Sequence, residues 1–357
     1  MGPVPFSQAT SRTDTDMQQV DLQRYEITGL LGTGADYDVR AAVDRDTQQQ
    51  VVLKRPVPQA ISRQMHGPIE ARTDRTIRFY QDSGSQIAHL SPIVGYSERA
   101  NHDSYYGDSL GQEYRVLVVA RAQGIPLAGD VRARILKVPI GLGQNLFALY
   151  PLPYGNSETP FAVQQQLVDL QEQFFKAGYV LLDQGPQNIF YQPAANSITV
   201  IDSGDLLAPD EESSSRSRRH RDIHDFYLEV LKFYIVPQPP PGTAAGYRDP
   251  YGMRPIISLE EELDELARRF GNSTDPARNA ALHLVAKVRD RAYTDVDDFR
   301  KDLTAYLEEV RIRNRSLSNL DEAMQAWRDA LQLLREDHWR RYQFDPEADL
   351  AAFDASP

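Results

Sequence analysis

The chain has 357 residues, no cysteine and a formal net charge of −12. That length suits one large two-lobed domain or two ordinary domains, and the hydrophobic share of 41% is normal for a globular protein with a full core. The acidic balance argues against nucleic acid as the main partner, because phosphate binding relies on clustered Lys and Arg, and the absence of cysteine excludes disulfides, thiol nucleophiles and zinc–thiolate sites.

Residues 1–20 are rich in Ser, Thr, Gln and Asp and show no periodicity, so we expect a disordered tail there. This segment lacks the apolar stretch of a signal peptide. No window of the sequence approaches the roughly 18 consecutive apolar residues of a membrane span. We therefore expect a cytoplasmic protein that does not contact a membrane.

From about residue 21 to 122 the sequence predicts a β-rich region that contains a single helix. Alternating apolar residues between Gly- and Asp-containing turns indicate short strands. The predicted strands are Tyr25–Leu31, Val39–Asp44, Gln50–Arg55, Pro92–Ser97 and Tyr114–Ala120. A helix is predicted over 67–81, because apolar or small residues recur there at helical spacing. The residues on that side are Ile69, Thr73, Ile77 and Tyr80.

Beyond about residue 123 the sequence predicts mainly helices. Phe161–Ala177 has a strong amphipathic pattern that ends at Gly178, a residue typical of a left-handed cap. Further helices are predicted over Asp222–Tyr234 and from Ser258 onward. The other predicted segments are strands at 135–138, 145–150, 189–191 and 197–201, a mobile loop at 211–221, a Pro- and Gly-rich excursion at 236–255 and an acidic tail at 341–357.

A separate C-terminal helix is predicted over 312–340. Its apolar residues alternate at spacings of four and three, which gives a seam of about two heptads. The seam residues are Leu320, Met324, Trp327, Leu331 and Leu334. Such a seam either packs back on its own domain or associates with another protomer or a partner protein, and association would use 318–338.

Three residues in the middle of the chain are typical of phosphoryl transfer. Asn188 follows Asp183 by five positions, and Asp202 follows Asn188 by 14, at the start of an Asp-Ser-Gly turn. In phosphoryl transfer one carboxylate faces the acceptor hydroxyl, while an amide and a second carboxylate hold Mg²⁺ on the nucleotide phosphates. Upstream, the turn Gly32-Thr33-Gly34 and the cation of Lys54 supply groups that cover and grip phosphates. Together these motifs indicate a nucleotide-dependent phosphotransferase.

With these motifs in this order, the chain resembles a divergent, bacterial-type member of the eukaryotic-like protein kinase family. The resemblance extends from about Tyr25 to Leu307, and Lys54 stands 22 residues after Gly32, as the third-strand lysine of that family does. It implies an α+β fold of two lobes, a small antiparallel β N-lobe and a larger α-helical C-lobe. The implied kinase-like domain covers 21–311, with the N-lobe at about 21–122 and the C-lobe at about 123–311.

The resemblance also implies the cofactors ATP and Mg²⁺ and a role for each motif residue. Asp183 would orient the acceptor hydroxyl, and Asn188 and Asp202 would bind the metal. Asp222 resembles the aspartate that opens a central C-lobe helix and ties the backbone of the catalytic loop.

Lys54 would grip the α- and β-phosphates of the nucleotide. Glu70 of the predicted helix would orient Lys54, with Asp74 as the alternative partner. The residues implied to bind the nucleotide are Gly32, Gly34, Val39, Lys54, Val119, Ala120, Ala122 and Phe190. The segment that connects the two lobes is implied at 117–124, with 145–155 as the alternative.

Several family motifs are altered, and the alterations bear on activity. Leu181-Leu182 replaces the His-Arg before the catalytic Asp, which argues against a phosphorylation switch, and Gly185 replaces a phosphate-binding Lys. Tyr37 stands in place of the third glycine of the Gly-rich loop. Asp36 and Asp38 add two carboxylates to that loop, and like charges there oppose a bound nucleotide by a few kcal/mol unless metal or Arg compensates.

Three functions are compatible with this sequence. The leading one is an ATP- and Mg²⁺-dependent phosphotransferase that resembles Ser/Thr protein kinases and transfers the γ-phosphate to a hydroxyl acceptor. The altered motifs favour an alternative, a pseudokinase that binds partners with weak or no catalysis. The segment after Gly204 lacks the family's Ala-Pro-Glu motif. This absence favours the third function, a small-molecule kinase. The expected partner is a protein substrate or signalling partner, with a small-molecule acceptor as the alternative.

Overall fold

A computed structural model of the chain describes residues 18–34, 36–57, 69–83, 87–108, 110–127, 163–192, 195, 197–208, 222–240, 242–243, 259–271 and 274–333. The protein is α+β, and these residues form eleven strands and eight α-helices. Several predicted segments lie wholly or mostly outside the described residues: the tail at 1–20, the strands at 135–138 and 145–150, the alternative connection at 145–155, the loop at 211–221, the excursion at 236–255 and the acidic tail at 341–357.

The chain divides into two compact units. The first, here called the sheet unit, consists of the residues up to Ile87 and of Pro92–Arg121. The second, the helix unit, consists of Ala88–Ser91 and of the residues from Ala122 onward. The division after Arg121 lies beside the boundary near 122 that the sequence places between the two implied lobes.

The sheet unit contains one mixed six-stranded sheet. Its strands are β1 (Gln18–Gln19), β2 (Tyr25–Thr33), β3 (Tyr37–Asp44), β4 (Gln50–Pro56), β5 (Ile93–Tyr96) and β6 (Leu117–Ala120). They lie in the order β1-β5-β6-β4-β3-β2, with β1 parallel to β5 and the other neighbours antiparallel. The five predicted strands are confirmed. β2 and β3 extend farther toward their shared turn than expected.

One face of the sheet carries a cluster of buried hydrophobic residues, and we call it the core face. Residues of β3, β4 and β6 alternate between the two faces, so that every second side chain is buried here. The short helix α2 (Asp103–Tyr106) and the segments flanking the sheet cover this face. The cluster consists of Leu22, Tyr25, Ala42, Val51, Leu53, Tyr106, Tyr114, Val116 and Val118. Burying each large apolar side chain contributes about 1.5–3 kcal/mol.

The structure corrects the predicted boundary of the N-terminal tail. Gln18 and Gln19 form β1, in parallel register with Gly95 and Tyr96 of β5, and the Val20 amide donates to the Tyr96 carbonyl at 2.9 Å. A Cβ added at Gly95 would lie 2.7 Å from Val20 Cγ1, so the close approach of this strand requires a glycine on β5. Residues 18–20 therefore belong to the sheet, which composition alone did not indicate.

The helix predicted over 67–81 is confirmed as α1 (Ile69–Ser83), within the described residues. The residues predicted to share one side are all buried: Ile69, Thr73, Ile77 and Tyr80. Helical spacing of small and apolar residues thus correctly indicated the packed side of α1.

The helix unit contains two small sheets and six helices among its described residues. The strands are β7 (Ile125–Pro126), β8 (Val180–Leu181), β9 (Ile189–Gln192), β10 (Ser197–Val200) and β11 (Leu206–Leu207), with β9 between β7 and β10, and β8 paired with β11. The helices are α3 (Val163–Lys176), α4 (Ile223–Tyr234), α5 (Leu259–Phe270), α6 (Pro276–Arg289), α7 (Val296–Arg315) and α8 (Leu320–Leu333). The predicted strands at 189–191 and 197–201 are confirmed.

The helix predicted over Phe161–Ala177 is confirmed as α3. Its predicted apolar stripe is fully buried: Val163, Leu167, Leu170 and Phe174. Gly178 has φ +81°, so it ends the helix in the left-handed conformation, as predicted. The next strand, β8, therefore leaves α3 at a fixed point and leads directly into the loop that carries Asp183.

The predicted start of a separate helix at 312 is wrong. α7 continues to Arg315, because Val310 and Asn314 remain buried on its packed side, and α8 begins only at Leu320. α7 packs against α6 and α3. On α8, Ala323 and Ala326 are buried, and association through 318–338 stays a prediction.

In the part of the chain that the structure describes, no helix combines the length and the apolar composition needed to cross a membrane.

Candidate functional site

Lys54 lies on β4, on the face of the sheet opposite to the core face. Val39 of β3 stands directly opposite Lys54, and Leu117 of β6 stands opposite it on the other side. Val52 pairs with Val119 in the same ladder, so Val119 shares this face as well. Three residues implied to bind the nucleotide, Val39, Lys54 and Val119, therefore lie together in the sheet unit.

The Lys54 side chain is largely enclosed, with a relative exposure of 9%. Its ammonium nitrogen lies 4.8 Å from the centroid of the Tyr37 ring. The Tyr37 hydroxyl shares a buried hydrogen bond of 3.0 Å with the Thr73 hydroxyl of α1. Helix α1 is thus connected to the surroundings of Lys54 through the tyrosine.

Glu70, the predicted partner of Lys54, lies in the first turn of α1 and is half-buried. The alternative partner, Asp74, forms an ion pair with Arg115 at 3.1 Å. This pair directs the Asp74 carboxylate toward the segment before β6. Glu70 remains the candidate, and its pairing with Lys54 stays a prediction.

Asp36 and Asp38, the two aspartates of the predicted Gly-rich loop, are each paired with an arginine. Asp38 lies on the core face, where its carboxylate accepts a hydrogen bond from Arg55 Nε at 2.8 Å. Asp36 pairs with Arg72 of α1 at 2.9 Å. The arginines compensate both carboxylates, and strand alternation turns Asp38 away from Lys54. The arginine compensation that the prediction left open is therefore present, and no electrostatic loss of nucleotide affinity is expected from these two carboxylates.

Arg55 is the centre of a buried charged group on the core face. Its guanidinium donates to both carboxylate oxygens of Asp108, at 2.6 and 2.5 Å, and lies over the Tyr106 ring at 4.2 Å. Burial alone would lower the pKa of Arg55, but hydrogen bonds to Asp108 and Asp38 raise it above its usual value. The Arg55 guanidinium therefore stays charged, and its hydrogen-bond partners lie within the sheet unit.

Gly32 is the last residue but one of β2, and Gly34 directly follows that strand, at the start of the β2–β3 turn. Gly32 belongs to β2, opposite Val39, so the turn begins later than the sequence indicated. Gly34 donates a backbone hydrogen bond to the Tyr37 carbonyl at 2.8 Å and closes the turn. A Cβ added at Gly32 would meet no atom within 4 Å, so packing does not require the glycine there. A residue without a side chain lets a ligand approach the backbone closely.

The remaining residues implied to bind the nucleotide are divided between the units. Ala120 ends β6, and its amide donates to the Pro92 carbonyl at 2.8 Å. Ala122 and Phe190 belong to the helix unit and are half-buried. Phe190 lies on β9, two residues after Asn188. The roles of these residues toward a nucleotide stay predictions.

Asp183 and Asn188 form a hydrogen-bonded loop between β8 and β9. Asn188 Nδ2 donates to the Asp183 carbonyl oxygen at 2.8 Å and to its carboxylate Oδ2 at 3.3 Å. Asp183 has φ +60°, in the left-handed region that residues with a side chain seldom occupy. Backbone strain of this kind concentrates at functional sites.

The backbone also brings Asp202 to this loop. The Ile201 amide donates to the Asn188 carbonyl at 3.0 Å, which fixes the residue before Asp202 against the loop. Asp202 Oδ1 accepts a hydrogen bond from the Gly204 amide at 2.9 Å, so the predicted Asp-Ser-Gly turn is present. The structure therefore brings together Asp183, Asn188 and Asp202, and we call these three residues the loop group.

A residue that sequence reasoning missed supports the loop group from α4. Glu229 accepts hydrogen bonds from the backbone amides of Asp183, at 3.1 Å, and Gln184, at 3.0 Å. The Tyr234 hydroxyl, also on α4, donates to the Gln184 carbonyl at 2.5 Å. Burial raises the pKa of Glu229 to about 8, and the nearby Asp183 and Asp205 carboxylates add to the increase.

This shifted pKa predicts a pH dependence of stability. Because the pKa of Glu229 is higher in the folded state than in the unfolded state, its stabilising contribution is complete below about pH 4.5 and is lost as pH rises to about 8. One such group changes the free energy of unfolding by at most about 1.4 kcal/mol per pH unit. We expect wild type to lose stability over pH 6–8 more steeply than Glu229→Gln, measured by urea unfolding. Parallel profiles would contradict the assignment.

Asp222 does not tie the catalytic loop, contrary to the prediction. Its carboxylate caps α4 by accepting from the His224 amide at 2.9 Å, and it pairs with Arg291. Burial alone would raise the pKa of Asp222, but hydrogen bonds from His224 and the charge of Arg291 lower it to about 2. Asp222 lies at the start of the helix, whereas Glu229, two turns later, faces the loop.

The predicted metal ligands are one amide and one carboxylate, Asn188 and Asp202. Among the described residues, no group of three or more Asp, Glu or His side chains is arranged to hold a metal ion. Mg²⁺ is commonly held by one or two carboxylates together with substrate phosphates, so the donor set fits this mode of binding. The Nδ2 contacts to Asp183 fix the Asn188 amide, so that its oxygen is the atom offered to a cation.

No protein-family model matches this chain, and no curated protein matches it. The resemblance to protein kinases therefore rests on the sequence motifs alone.

Proposed function

We propose that this chain is a phosphotransferase with the two-lobed fold of protein kinases, dependent on ATP and Mg²⁺, that transfers the γ-phosphate to a hydroxyl acceptor. The loop group carries the proposal. An amide five positions after an aspartate fixes that aspartate by two hydrogen bonds, and the same asparagine is paired through its backbone with the residue before the second aspartate. This is the set of groups that phosphoryl transfer needs.

Within this proposal each residue of the loop group has a distinct task. Asp183 orients the acceptor hydroxyl and takes its proton, because its carboxylate is fixed by Asn188 and its backbone by Glu229. The oxygens of Asn188 and Asp202 hold Mg²⁺. When bound, Mg²⁺ neutralises charge that develops on the transferred phosphate.

Lys54 supplies the cation for the α- and β-phosphates in the proposed reaction. Its backbone is paired with Val39 and Leu117 in the sheet and its ammonium lies 4.8 Å from the Tyr37 ring centroid, so the charge is positioned before a nucleotide binds. A fixed cation needs little reorganisation when phosphate binds, which favours catalysis by electrostatic stabilisation.

A pseudokinase is the second candidate, and the sequence of the loop itself favours it. Gly185 stands where the family has a cation that holds the transferring phosphate, so the loop group lacks that charge. A protein of this kind would bind nucleotide and signal to a protein partner with little turnover. A small-molecule acceptor is the remaining alternative, and the identity of the labelled product separates it from a protein acceptor.

Binding of Mg·ATP tests the proposal most directly. We expect saturating ATP with Mg²⁺ to raise the melting temperature by several degrees, because a ligand at 100 times its Kd contributes about 2.7 kcal/mol. Lys54→Met and Asp202→Asn should each abolish most of this shift, and ATP with EDTA should produce much less of it.

The exposed Lys176, whose ammonium pairs with Glu172 one turn earlier on the same helix, provides a matched control. Lys176→Met should shift as wild type does. A wild-type shift that is absent, or that is equal with and without Mg²⁺, would refute the proposed phosphate site.

A further inference from the structure

Tyr37 and Lys54 are neighbours because of the register between β3 and β4. Val39 stands directly opposite Lys54, and Tyr37 lies two residues before Val39, on the same face. Tyr37 is thus the diagonal cross-strand neighbour of Lys54, a position that an aromatic side chain can bridge.

The contact between the two side chains is enclosed. The ammonium nitrogen of Lys54 lies 4.8 Å from the Tyr37 ring centroid, and the relative exposures are 5% for Tyr37 and 9% for Lys54. Attraction between a cation and an aromatic ring is strongest when water is excluded. The ring therefore restricts where the ammonium can lie.

Helix α1 fixes the ring in turn. The Tyr37 hydroxyl is bonded to the Thr73 hydroxyl at 3.0 Å, and the preceding turn residue, Asp36, pairs with Arg72 at 2.9 Å. Two consecutive residues of the turn thus contact two consecutive residues of the helix. The β2–β3 turn and α1 are connected at two points beside Lys54.

We propose that Tyr37 is a positioning residue, which holds the Lys54 ammonium in place for nucleotide phosphates and is itself held by Thr73. This inference deepens the proposed function and rests on it for the role of Lys54 in phosphate binding. It also gives a reason for a bulky residue where the family has the third glycine of the loop. A tyrosine at this position has less backbone freedom than a glycine, but its ring fixes the lysine side chain.

Three variants distinguish the contribution of the Tyr37 ring from that of its hydroxyl. Tyr37→Leu removes the aromatic face, Tyr37→Phe keeps it but loses the bond to Thr73, and Thr73→Val loses that bond from the other side. We expect Tyr37→Leu to weaken Mg·ATP binding about tenfold, as measured by calorimetric titration, and the other two to weaken it about twofold. Partial rescue by phenylalanine would show that the ring, more than its hydroxyl, holds the lysine.

Val118→Ala serves as the stability control. Val118 is fully buried on the core face, away from Lys54, so its truncation lowers the melting temperature without changing the contact with Tyr37. Binding by Val118→Ala should equal that of wild type. Equal binding by Tyr37→Leu and wild type would overturn the inference.

A second measurement does not need nucleotide at all. Acylation of lysines by a succinimidyl ester, followed by peptide mass spectrometry, reports how closely Lys54 is held, with the exposed Lys176 as the internal reference. We expect the rate at Lys54 to rise several-fold in Tyr37→Leu and little in Tyr37→Phe. An unchanged rate would refute the positioning role. If wild type fails to bind Mg·ATP, the proposed function fails, and acylation still decides whether Tyr37 holds Lys54.

Discussion

Replacing Asp183 with asparagine is expected to lower the rate of phosphate transfer by about 10²–10⁴-fold, the usual contribution of a positioned general base. Binding of Mg·ATP should change little, because the predicted metal ligands are Asn188 and Asp202. The backbone carbonyl of residue 183 still accepts from Asn188, so the loop should keep its shape. Turnover of γ-labelled ATP measures the effect, with transfer to protein, transfer to small molecules and hydrolysis followed separately.

The exposed Asp264, which pairs with Arg289 on the surface of the helix unit, is the matched control. Asp264→Asn removes the same charge far along the chain from the loop group and should leave the rate unchanged. Equal rates for wild type and Asp183→Asn would remove Asp183 from its proposed role. Nucleotide binding without turnover in wild type would support the pseudokinase alternative, and label on a metabolite would support a small-molecule kinase.

Replacing Glu229 with leucine is expected to reduce both stability and turnover. The substitution leaves the backbone amides of Asp183 and Gln184 without their acceptor, and the donor of the buried Gln184 costs about 1–3 kcal/mol when it is unsatisfied. We therefore expect a loss of about 1–3 kcal/mol in the free energy of unfolding. Because the left-handed backbone of Asp183 would lose its support, turnover should fall as well. Glu229→Gln should be intermediate, since an amide offers one acceptor oxygen.

A control on the same helix separates loop support from general stability. Lys232 of α4 pairs with the buried Glu262 of α5 at 2.9 Å. Lys232→Met should also destabilise the protein, yet leave turnover per folded molecule unchanged. A Glu229→Leu variant whose folded fraction turns over as fast as wild type would show that Glu229 supports only the fold.

Local patterns were sufficient to predict the longer strands and helices and the loop group. Alternation of apolar residues gave β2, β3 and β4, and the 3–4 spacing before Gly178 gave α3, because these signals act within one element. The spacing of Asp183, Asn188 and Asp202 also lies within a short segment, which is why the motif alone indicated that they would meet.

Contacts between distant segments could not be predicted in the same way. Nothing local pairs Asp38 with Arg55 or Asp36 with Arg72, so the sequence left open whether arginines compensate these carboxylates. Strand register decides that Tyr37 is beside Lys54, and the sequence does not specify register without the pairing.

Glu229 gave a weak signal, a carboxylate inside an apolar helix. A carboxyl group in such a position needs hydrogen-bond partners, and the sequence could not show that the partner was a backbone loop 45 residues earlier. The family resemblance directed attention to Asp222 instead. Its position as the cap of α4 can be recognised from its place before the apolar run.

The outermost strand has a practical consequence for anyone who shortens this protein. β1 contributes only Gln18 and Gln19, yet with Val20 it covers the hydrogen-bonding edge of β5 at Gly95 and Tyr96. Trimming the polar start of the chain past residue 17 would uncover that edge and invite intermolecular strand pairing. Preparations that begin after residue 20 should therefore aggregate more readily than those that keep these three residues.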